Sequence, residues 1–441
     1  MKSGMYITEI VKKLFNNTRE QYQSDEACLK QILENQVYGL SPTPILQGIT
    51  QSYIFGFDVE QKISRKNFIQ HDITPEAQQG IAKEKLQELL NLNEDMKFDA
   101  IVGNPPYQEN DGSGGQGSSA KPIYNYFVNT AKDINPKIIN LIMPTRWYAG
   151  GKGLDEFRKQ MLNDKNIVEI HDFLNPNVIF PSTNIRGGVC FVLWDNSFNN
   201  EKDLVKVVTY GDSLIEKKEL KRKLKYDGEE IFIRHVESLE IVKKVKSQKE
   251  FISFEKLVSS RKPFGLDSKF DRTSDYHKTK NSLKDPVICY AKRQEIGYVD
   301  NDKFNFDKQR LHSYKVFTSF ANNIGTELND DNLNTFIGEP NSVCTETYII
   351  LGDGLNVNEV TAKNIIQYFK TKFARFLHSI AKSNQNGTAK TYKFVPLQDF
   401  TENSDIDWSK CILEIDQQLY AKYGLTKGEI SFIENMIKPM D

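Results

Sequence analysis

The stretch KFDAIVGNPPYQEN, Lys97–Asn110, contains the strongest structural signal in the chain. Its first half is a short apolar run that ends at Gly103, which is typical of a buried strand. Pro105 and Pro106 fix the backbone angle φ, lack an N–H donor and restrict the residue before them. The strand must therefore end abruptly, with an amide side chain, Asn104, before two rigid residues and an aromatic ring, Tyr107, after them.

The segments around this stretch alternate between helical and strand patterns through residues 1–199. Apolar residues at helical spacing predict a helix near the start of the chain. Short or buried strands are predicted at NQVYGL, NFIQHD, KIINLIMP, IVEIHDFL and GGVCFVLWD. This alternation predicts an α/β fold with a mostly parallel sheet, in which ligands bind beyond the carboxyl ends of the strands.

The pattern changes after about Asn196, where charge rises and aromatic residues alternate with Lys and Arg. A chain of 441 residues is long enough for two domains. We therefore predict a first domain at 1–199 and a second, mixed α+β domain at 200–441. In the second domain, one long helix is predicted at VTAKNIIQYFKTKFARFLHSIAK and two helices joined at Gly424 near the end.

The net charge of −1 argues neither for nor against a polyanionic partner. Lys and Arg nevertheless outnumber Asp and Glu between residues 200 and 315, with the densest runs at Lys217–Lys225 and Lys243–Lys249. Each run is interpreted either as a solvated helix face or as a surface that follows phosphates.

Several classes of protein are disfavoured by composition. No apolar run approaches the length of a membrane span, and the first residues lack the layout of a signal peptide. The five cysteines are scattered without a CxxC pair, and the six histidines form no ligand-spaced pair. We expect reduced thiols, no metal site, no membrane partner and a cytoplasmic location.

The Asn104–Tyr107 stretch carries the chemistry of a specific kind of site. The Asn104 side-chain oxygen and the Pro105 carbonyl are two acceptors without a competing N–H beside them. Such a pair suits a flat –NH2 group, because two accepted hydrogen bonds localise the nitrogen lone pair. Tyr107 can stack on the ring that carries the amine. The alternative is a tight structural turn in which Tyr107 only anchors the loop.

On these residues the chain resembles the adenine-N6 DNA methyltransferases of restriction–modification systems, in the γ-type order of motifs. The resemblance extends to NLIMPTRWYAGGKGLDEFRKQML and to the tail VPLQDFTENSDIDWSKCILEIDQQLYAKYGL. It implies that Asn104, Pro105, Pro106 and Tyr107 are catalytic and that S-adenosylmethionine is the cofactor. It also implies double-stranded DNA as substrate, target recognition by residues 200–441, and a restriction endonuclease as partner.

The cofactor half of the resemblance is less complete. KSGMY, Lys2–Tyr6, matches the end of the family's cofactor motif, which implies that Ser3, Gly4 and Tyr6 bind the cofactor. The strand and the Asp-Pro that precede this motif in the family are missing. The resemblance therefore implies a Rossmann-like sheet without its first strand, in a chain truncated at its N-terminus; the alternative for KSGMY is a frayed terminus.

Two acidic residues are candidates for further cofactor contacts. An acid normally ends the second strand and binds the ribose, but NQVYGL is followed by Ser41. Asp58 is the nearest substitute, although it could simply hold a turn. Asp72, which ends NFIQHD, matches the position that accepts from the cofactor's adenine amine; a solvated carboxylate at a strand end is the alternative.

The segment Lys382–Phe394 is the best candidate for a DNA-contacting loop, through Lys382, Lys390 and Lys393. An ordinary surface loop is the alternative. Two other functions remain open: a methyltransferase acting on protein glutamine or RNA, and a non-catalytic DNA-recognition or partner subunit of a split or degraded restriction–modification enzyme. The chain shows no convincing nuclease motif.

Overall fold

The structure of the protein is a computed structural model. It describes residues 4–93, 96–109, 121–151, 153–181, 185, 187–226, 228–249, 251–324, 330–382, 385–438 and 440. The chain divides into two compact units. The first comprises Met1–Pro144, Gly151–Phe173 and Val189–Tyr226, and the second comprises Thr145–Gly150, Leu174–Gly188 and Asp227–Asp441.

The first unit alternates helices with short strands, as predicted. Its helices are α1 (Met5–Thr18), α2 (Asp25–Asn35), α3 (Pro44–Phe55), α4 (Thr74–Gln79), α5 (Ala82–Leu89), α6 (Tyr124–Ile134) and α7 (Asp155–Leu162). Its strands are β1 (Gly39–Ser41), β2 (Phe68–Gln70), β3 (Ala100–Gly103), β4 (Gln108–Glu109), β5 (Lys121–Pro122), β6 (Ile138–Pro144), β7 (Ile167–Phe173), β8 (Val189–Asp195), β9 (Val205–Tyr210) and β10 (Lys217–Arg222).

The main sheet of the first unit has six strands in the order β10-β9-β7-β8-β6-β3. Only the β3–β6 and β7–β9 pairs are parallel, and the other three pairs are antiparallel. The predicted mostly parallel sheet is therefore wrong in detail, because β8 runs against both of its neighbours. The basic run at Lys217–Lys225 lies largely on the edge strand β10. It does not lie on a helix.

Because of strands β9 and β10, the first unit ends later in the chain than the predicted boundary at residue 199. They continue the sheet past residue 199, and the first unit accordingly ends at Tyr226. The assignment of separate functions to 1–199 and 200–441 stays a prediction.

The strands β1 and β2 form a separate parallel pair. Helix α3 begins where the Thr43 side chain accepts a hydrogen bond from the Leu46 N–H and Pro44 occupies the first turn. The Phe55 ring of α3 meets the Phe68 ring of β2 edge to face at 5.2 Å. Residues of α1 and α2, with Ile32 fully buried, complete this small core.

The strand β3 is not buried, contrary to the expectation from its apolar sequence. Its residues alternate between exposed and half-buried, and 43% of Val102 is exposed. The reason is that β3 pairs only with β6 among the described residues. An apolar strand with one neighbour leaves part of its surface uncovered.

The second unit combines helices with two three-stranded sheets, ordered β12-β11-β15 and β14-β13-β16. Its strands are β11 (Pro286–Tyr290), β12 (Ile296–Asp300), β13 (Lys315–Ser319), β14 (Phe336–Gly338), β15 (Ser342–Cys344) and β16 (Tyr348–Leu351). Its helices are α8 (Val236–Lys246), α9 (Lys308–His312), α10 (Glu359–Lys370), α11 (Lys372–Ile380), α12 (Ile412–Lys422) and α13 (Lys427–Met436).

The helix predicted to be continuous near residue 370 is two helices. Thr371 has extended backbone angles and its hydroxyl accepts from the Ala374 N–H at 3.1 Å, which starts α11 immediately after α10. The predicted pair of C-terminal helices is confirmed, and Gly424 between them has φ +60°.

Candidate active site

The Asn104–Tyr107 segment follows directly from the end of β3. Asn104 and Pro106 are exposed, Pro105 is buried and Tyr107 is half-buried. The Tyr107 carbonyl accepts from the Ile123 N–H at 3.2 Å, beside the short β4–β5 ladder. The segment therefore presents the Asn104 amide to solvent while its aromatic residue is anchored in the fold.

The Tyr107 hydroxyl is buried. Burial raises the pKa of Tyr107 well above the usual range of a phenol, with smaller contributions from Cys190 and Tyr6, while the Asn104 side chain opposes the shift. The phenol therefore stays neutral at physiological pH. The same influences mean that Asn104, Tyr6 and Tyr107, which the sequence suggested for one site, lie near one another.

The proposed cofactor residues at the start of α1 have a packing role. Ser3 lies outside the described residues. Gly4 has φ +79°, and a Cβ atom there would lie 3.1 Å from Ile54 Cγ1 and 3.3 Å from the Thr50 carbonyl oxygen. The glycine is therefore required by the close approach of α1 to α3, irrespective of a cofactor. Tyr6 is half exposed, so its ring remains accessible.

The two acidic candidates differ in what their carboxylates do. Asp58 is 9% exposed, and its two oxygens accept from the N–H groups of Lys62 and Ile63 at 2.9 and 3.0 Å. This geometry favours the turn-holding alternative for Asp58. Asp72 follows β2, is exposed, and accepts from the Thr74 N–H at 3.1 Å at the start of α4. Asp72 lies just beyond the end of β2, as both the cofactor-binding prediction and its alternative, a solvated carboxylate, require, so its contact with the cofactor stays a prediction.

Ser41 was not chosen from the sequence as a site residue. It ends β1, is fully buried, and its hydroxyl has no hydrogen-bond partner within the described part of the chain. A buried hydroxyl is expected to have a hydrogen-bond partner, because an unsatisfied buried polar group costs about 1–3 kcal/mol of stability. Only its position at a strand end could have indicated it, since Ser carries no charge.

The three lysines expected on one DNA-contacting loop lie in different environments. Lys382 is not presented at the surface: its Nζ donates to the carbonyls of Asn322 and Ile324 at 2.7 and 2.9 Å. Burial lowers the pKa of Lys382 to about 7. The Lys393 Nζ lies 3.1 Å from a Glu229 carboxylate oxygen. Of the three, only Lys390 is exposed.

Two general expectations concern metals and membranes. Among the described residues, no three or more His, Cys, Asp or Glu side chains are grouped in a way that could hold a metal ion. Within the same part of the chain, none of the helices has the length and apolar character needed to cross a membrane. The five cysteines are thiols, and all but Cys411 are buried.

Known proteins that are similar to this chain include a curated sequence and a solved structure. A 107-residue segment is 38% identical to an uncharacterized adenine-specific methylase of Mycoplasma pneumoniae, covering 24% of this chain and 25% of that protein. A solved nuclease-deletion mutant of the Type ISP restriction-modification enzyme LlaGI, in complex with a DNA substrate mimic, has a similar fold at 10% identity. The TM-score is 0.51, over 88% of this chain and 42% of that one.

The matched regions thus cover less than half the length of either protein. Residues 35–180 match the model of the Eco57I restriction-modification methylase family, a range that includes β3 and the Asn-Pro-Pro-Tyr segment. Residues 35–180 are therefore similar in sequence to the restriction-modification methylases of the Eco57I family.

Proposed function

We propose that the chain transfers a methyl group from S-adenosylmethionine to the N6 amine of adenine in a specific duplex DNA sequence. It would act as the modification component of a restriction–modification system. The observation that carries this proposal is the geometry of Asn104–Tyr107: an exposed amide at a strand end, two prolines, and a half-buried aromatic ring.

Asn104 and Pro105 would prepare the adenine amine for attack. Their oxygens accept hydrogen bonds from the two N–H groups of the amine, which draws the nitrogen towards a tetrahedral shape and localises its lone pair. Methyl transfer would break the carbon–sulfur bond of the cofactor, leaving the electron pair on sulfur, as the new N–C bond forms. The surplus proton would leave the nitrogen along one of these hydrogen bonds towards solvent. No covalent link between enzyme and substrate is needed, so the reaction requires no nucleophilic side chain.

Tyr107 would hold the ring that carries the amine. Adenine in a duplex must first be rotated out of the base stack, and an aromatic side chain replaces part of the lost stacking. Because burial keeps its phenol neutral, Tyr107 places no negative charge beside the base. Position and orientation of the base are therefore the main contribution of Tyr107.

The polar side chains at the ends of β1 and β2 fit part of an S-adenosylmethionine site. Asp72 offers an exposed carboxylate to the adenine amine of the cofactor, and the buried Ser41 hydroxyl lies at the end of the neighbouring strand. Tyr6 adds an accessible ring near Tyr107. The group itself supplies an electrophilic methyl carbon bound to a positively charged sulfur.

Residues 200–441 would recognise the DNA sequence, and a restriction endonuclease would be the functional partner. The local excess of Lys and Arg between residues 200 and 315 supports a phosphate-contacting role. Lys390, exposed in the second unit, is the best placed of the three lysines proposed from the sequence.

The proposal is tested by following a tritiated methyl group. The purified chain is incubated with labelled S-adenosylmethionine and a mixture of duplex DNA, RNA and protein, and the labelled product is digested to nucleosides or amino acids. We expect label in N6-methyladenine from DNA. Label in RNA or on protein glutamine would reject the DNA assignment and favour the corresponding alternative.

A second candidate function is a DNA-recognition subunit that is inactive alone. The exposed strand β3 favours it, because the sheet next to the proposed cofactor site is incomplete within the described residues. Specific DNA binding without binding of S-adenosylmethionine, measured by calorimetry, would support this candidate over a self-sufficient enzyme.

A further inference from the structure

The hairpin formed by β11 and β12 ends in a short basic tip. Residues Ala291–Glu295 join the two strands, which pair antiparallel. The loop is closed where the Ala291 N–H donates to the Glu295 carbonyl at 2.8 Å. The residues in the middle, Lys292–Gln294, are all exposed. The hairpin therefore presents a lysine, an arginine and a glutamine next to one another at its end.

The backbone of this tip has an uncommon conformation. Arg293 and Gln294 have φ of +63° and +58°, in the left-handed region where Cβ crowds the following carbonyl oxygen. Eight described residues other than glycine have positive φ, and four of them are Asn, which tolerates this region. Among the eight, Arg293 and Gln294 are the only consecutive pair. Glycine would form the same turn without strain, so the turn itself gives no reason for an arginine and a glutamine here.

A buried phenol holds the tip in place. The Gln294 N–H donates to the Tyr348 hydroxyl at 2.8 Å, and Tyr348 is only 2% exposed. The Phe336 ring meets the Tyr348 ring edge to face at 5.1 Å between centroids. The strained backbone is therefore supported by the core beneath it. A backbone that is ordered before binding lowers the entropy lost on binding.

The side chains of the tip are not engaged within the described part of the chain. Neither Lys292 nor Arg293 forms an ion pair there, and the Gln294 amide makes no side-chain hydrogen bond there. The acid that follows them, Glu295, is paired with Lys278. Two positive charges and an amide are thus exposed together without an opposing carboxylate.

The surface beside the tip is also basic. The Thr345 N–H donates to the Tyr290 carbonyl at 3.1 Å, which places the residue after β15 next to the end of β11. The next residue, Glu346, is buried, and its carboxylate lies 3.2 Å from Arg261 Nε and 3.6 Å from Lys262 Nζ. The Arg261 and Lys262 side chains stay about half exposed. Cations exceed carboxylates around the tip, as on surfaces that follow phosphates.

We propose that the Lys292–Gln294 tip enters the major groove of the target DNA and that Arg293 reads a guanine of the recognition sequence. This role rests on the proposed recognition of DNA by residues 200–441. The major groove is about 12 Å wide and admits a two-stranded β-ribbon. Arginine donates two hydrogen bonds to O6 and N7 of guanine, and glutamine makes a two-bond contact with adenine. Arg261 and Lys262 would contact the flanking phosphates, which position the protein without reading sequence.

The basic run Lys243–Lys249 of α8 is less suited to reading bases. Three of its lysines are already paired with carboxylates: Lys243 with Glu240, Lys244 with Glu429 and Lys246 with Glu229. An ammonium group also lacks the planar fork with which a guanidinium matches a base edge. A free arginine on a rigid turn is therefore the better candidate for a sequence-reading residue.

The test selects preferred sequences from a pool, so that the recognition sequence need not be known beforehand. The whole chain is mixed with duplex DNA that carries a randomised central stretch, and the bound duplexes are sequenced. In Arg293→Gly the side chain is removed, and glycine accepts φ +63°, so the turn is kept. The matched control is Arg272→Ala, at an exposed arginine of the same unit.

We expect the unchanged chain to prefer guanine at one or more positions and Arg293→Gly to lose that preference at one of them. Its affinity for the preferred duplex should fall about tenfold or more. The midpoint of urea unfolding should not fall, because glycine relieves the strained turn. Arg272→Ala should select the same sequence as the unchanged chain.

Unaltered base preferences in Arg293→Gly, or no preference in the unchanged chain, would overturn the role of the tip. A loss of affinity that is equal for all sequences would overturn it too, and would assign Arg293 to a phosphate contact. Methyl transfer is measured separately, and Asn104→Ala should select the same sequences without methylating them. If the unchanged chain selects DNA in the expected way but transfers no methyl group, the proposed function fails and the role of Arg293 stands.

Discussion

Asn104 and Lys382 both lie just after a regular element, yet their polar groups face opposite environments. Asn104 follows β3 and is exposed beside two prolines that hold its backbone. Lys382 follows α11, and its ammonium group turns inward to two backbone carbonyls. A rigid backbone fixes where a short amide points, whereas a long, flexible side chain can satisfy itself inside the fold.

After the loss of Asn104 itself, the largest effect should come from removing the ring next to it. Tyr107→Ala is expected to lower kcat/KM for DNA methylation by about 10- to 100-fold, because one base–aromatic stack is worth about 1–3 kcal/mol. Tyr107→Phe keeps the ring and should stay near the original rate. An equal loss in both variants would show that the hydroxyl, not the ring, is the important group.

The buried lysine predicts a pH effect on stability. Its folded pKa is about 7, below that of an unfolded lysine, so between these pKa values the unfolded chain binds more protons. Stability should therefore rise with pH above 7, by at most about 1.4 kcal/mol per pH unit from this group.

Urea unfolding at several pH values between about 7 and 9 measures this contribution. Lys382→Met should reduce the rise and leave the part above about pH 8 that comes from Lys315, whose pKa burial lowers to about 8. Lys390→Met, at an exposed position, should keep the whole rise. The same slope in both variants would mean that Lys382 is solvated and that the contrast with Asn104 is wrong.

A smaller effect is expected from the exposed lysine on DNA binding. Lys390→Ala should reduce the slope of log affinity against log salt by about 0.9, the value for one lost phosphate contact. Lys382→Ala should leave this slope unchanged, because its ammonium group is occupied within the fold. A salt titration by anisotropy with duplex DNA distinguishes the two, and the reverse result would restore Lys382 as a DNA contact.

The smallest effect is a change in stability expected from a substitution in β3, the strand that precedes Asn104. Val102→Ala should change the free energy of unfolding by no more than about 0.5 kcal/mol, because Val102 is largely exposed. Val192→Ala, at a fully buried position of β8, should cost about 2 kcal/mol. Comparable losses in urea unfolding would indicate that β3 is covered in solution.

The sequence allowed the strands around the site to be predicted, but not their neighbours. Apolar runs indicated β6, β7 and β8 correctly, since composition reflects burial. Strand direction is not encoded in that pattern, so the antiparallel position of β8 was missed. The exposure of Val102 depends equally on which strands pair with β3.

The candidate site residues also differ in whether their conformation depends on neighbours in sequence or on distant residues. The turn at Asn104 follows from two adjacent prolines and could be predicted. The packing role of Gly4 depends on Thr50 and Ile54, and the burial of Lys382 on Asn322 and Ile324. Such distant partners cannot be read from the residue and its sequence neighbours alone.

The most direct test of the proposed function is the rate of N6-methyladenine formation in duplex DNA by the unchanged chain, Asn104→Ala and Gln108→Ala. Gln108 is exposed one residue beyond the motif and serves as the control. We predict a loss of at least about 100-fold for Asn104→Ala, the scale for losing one precisely placed polar group, and little change for Gln108→Ala. Methylation at the original rate by Asn104→Ala would contradict the assignment of Asn104–Tyr107 as the catalytic site.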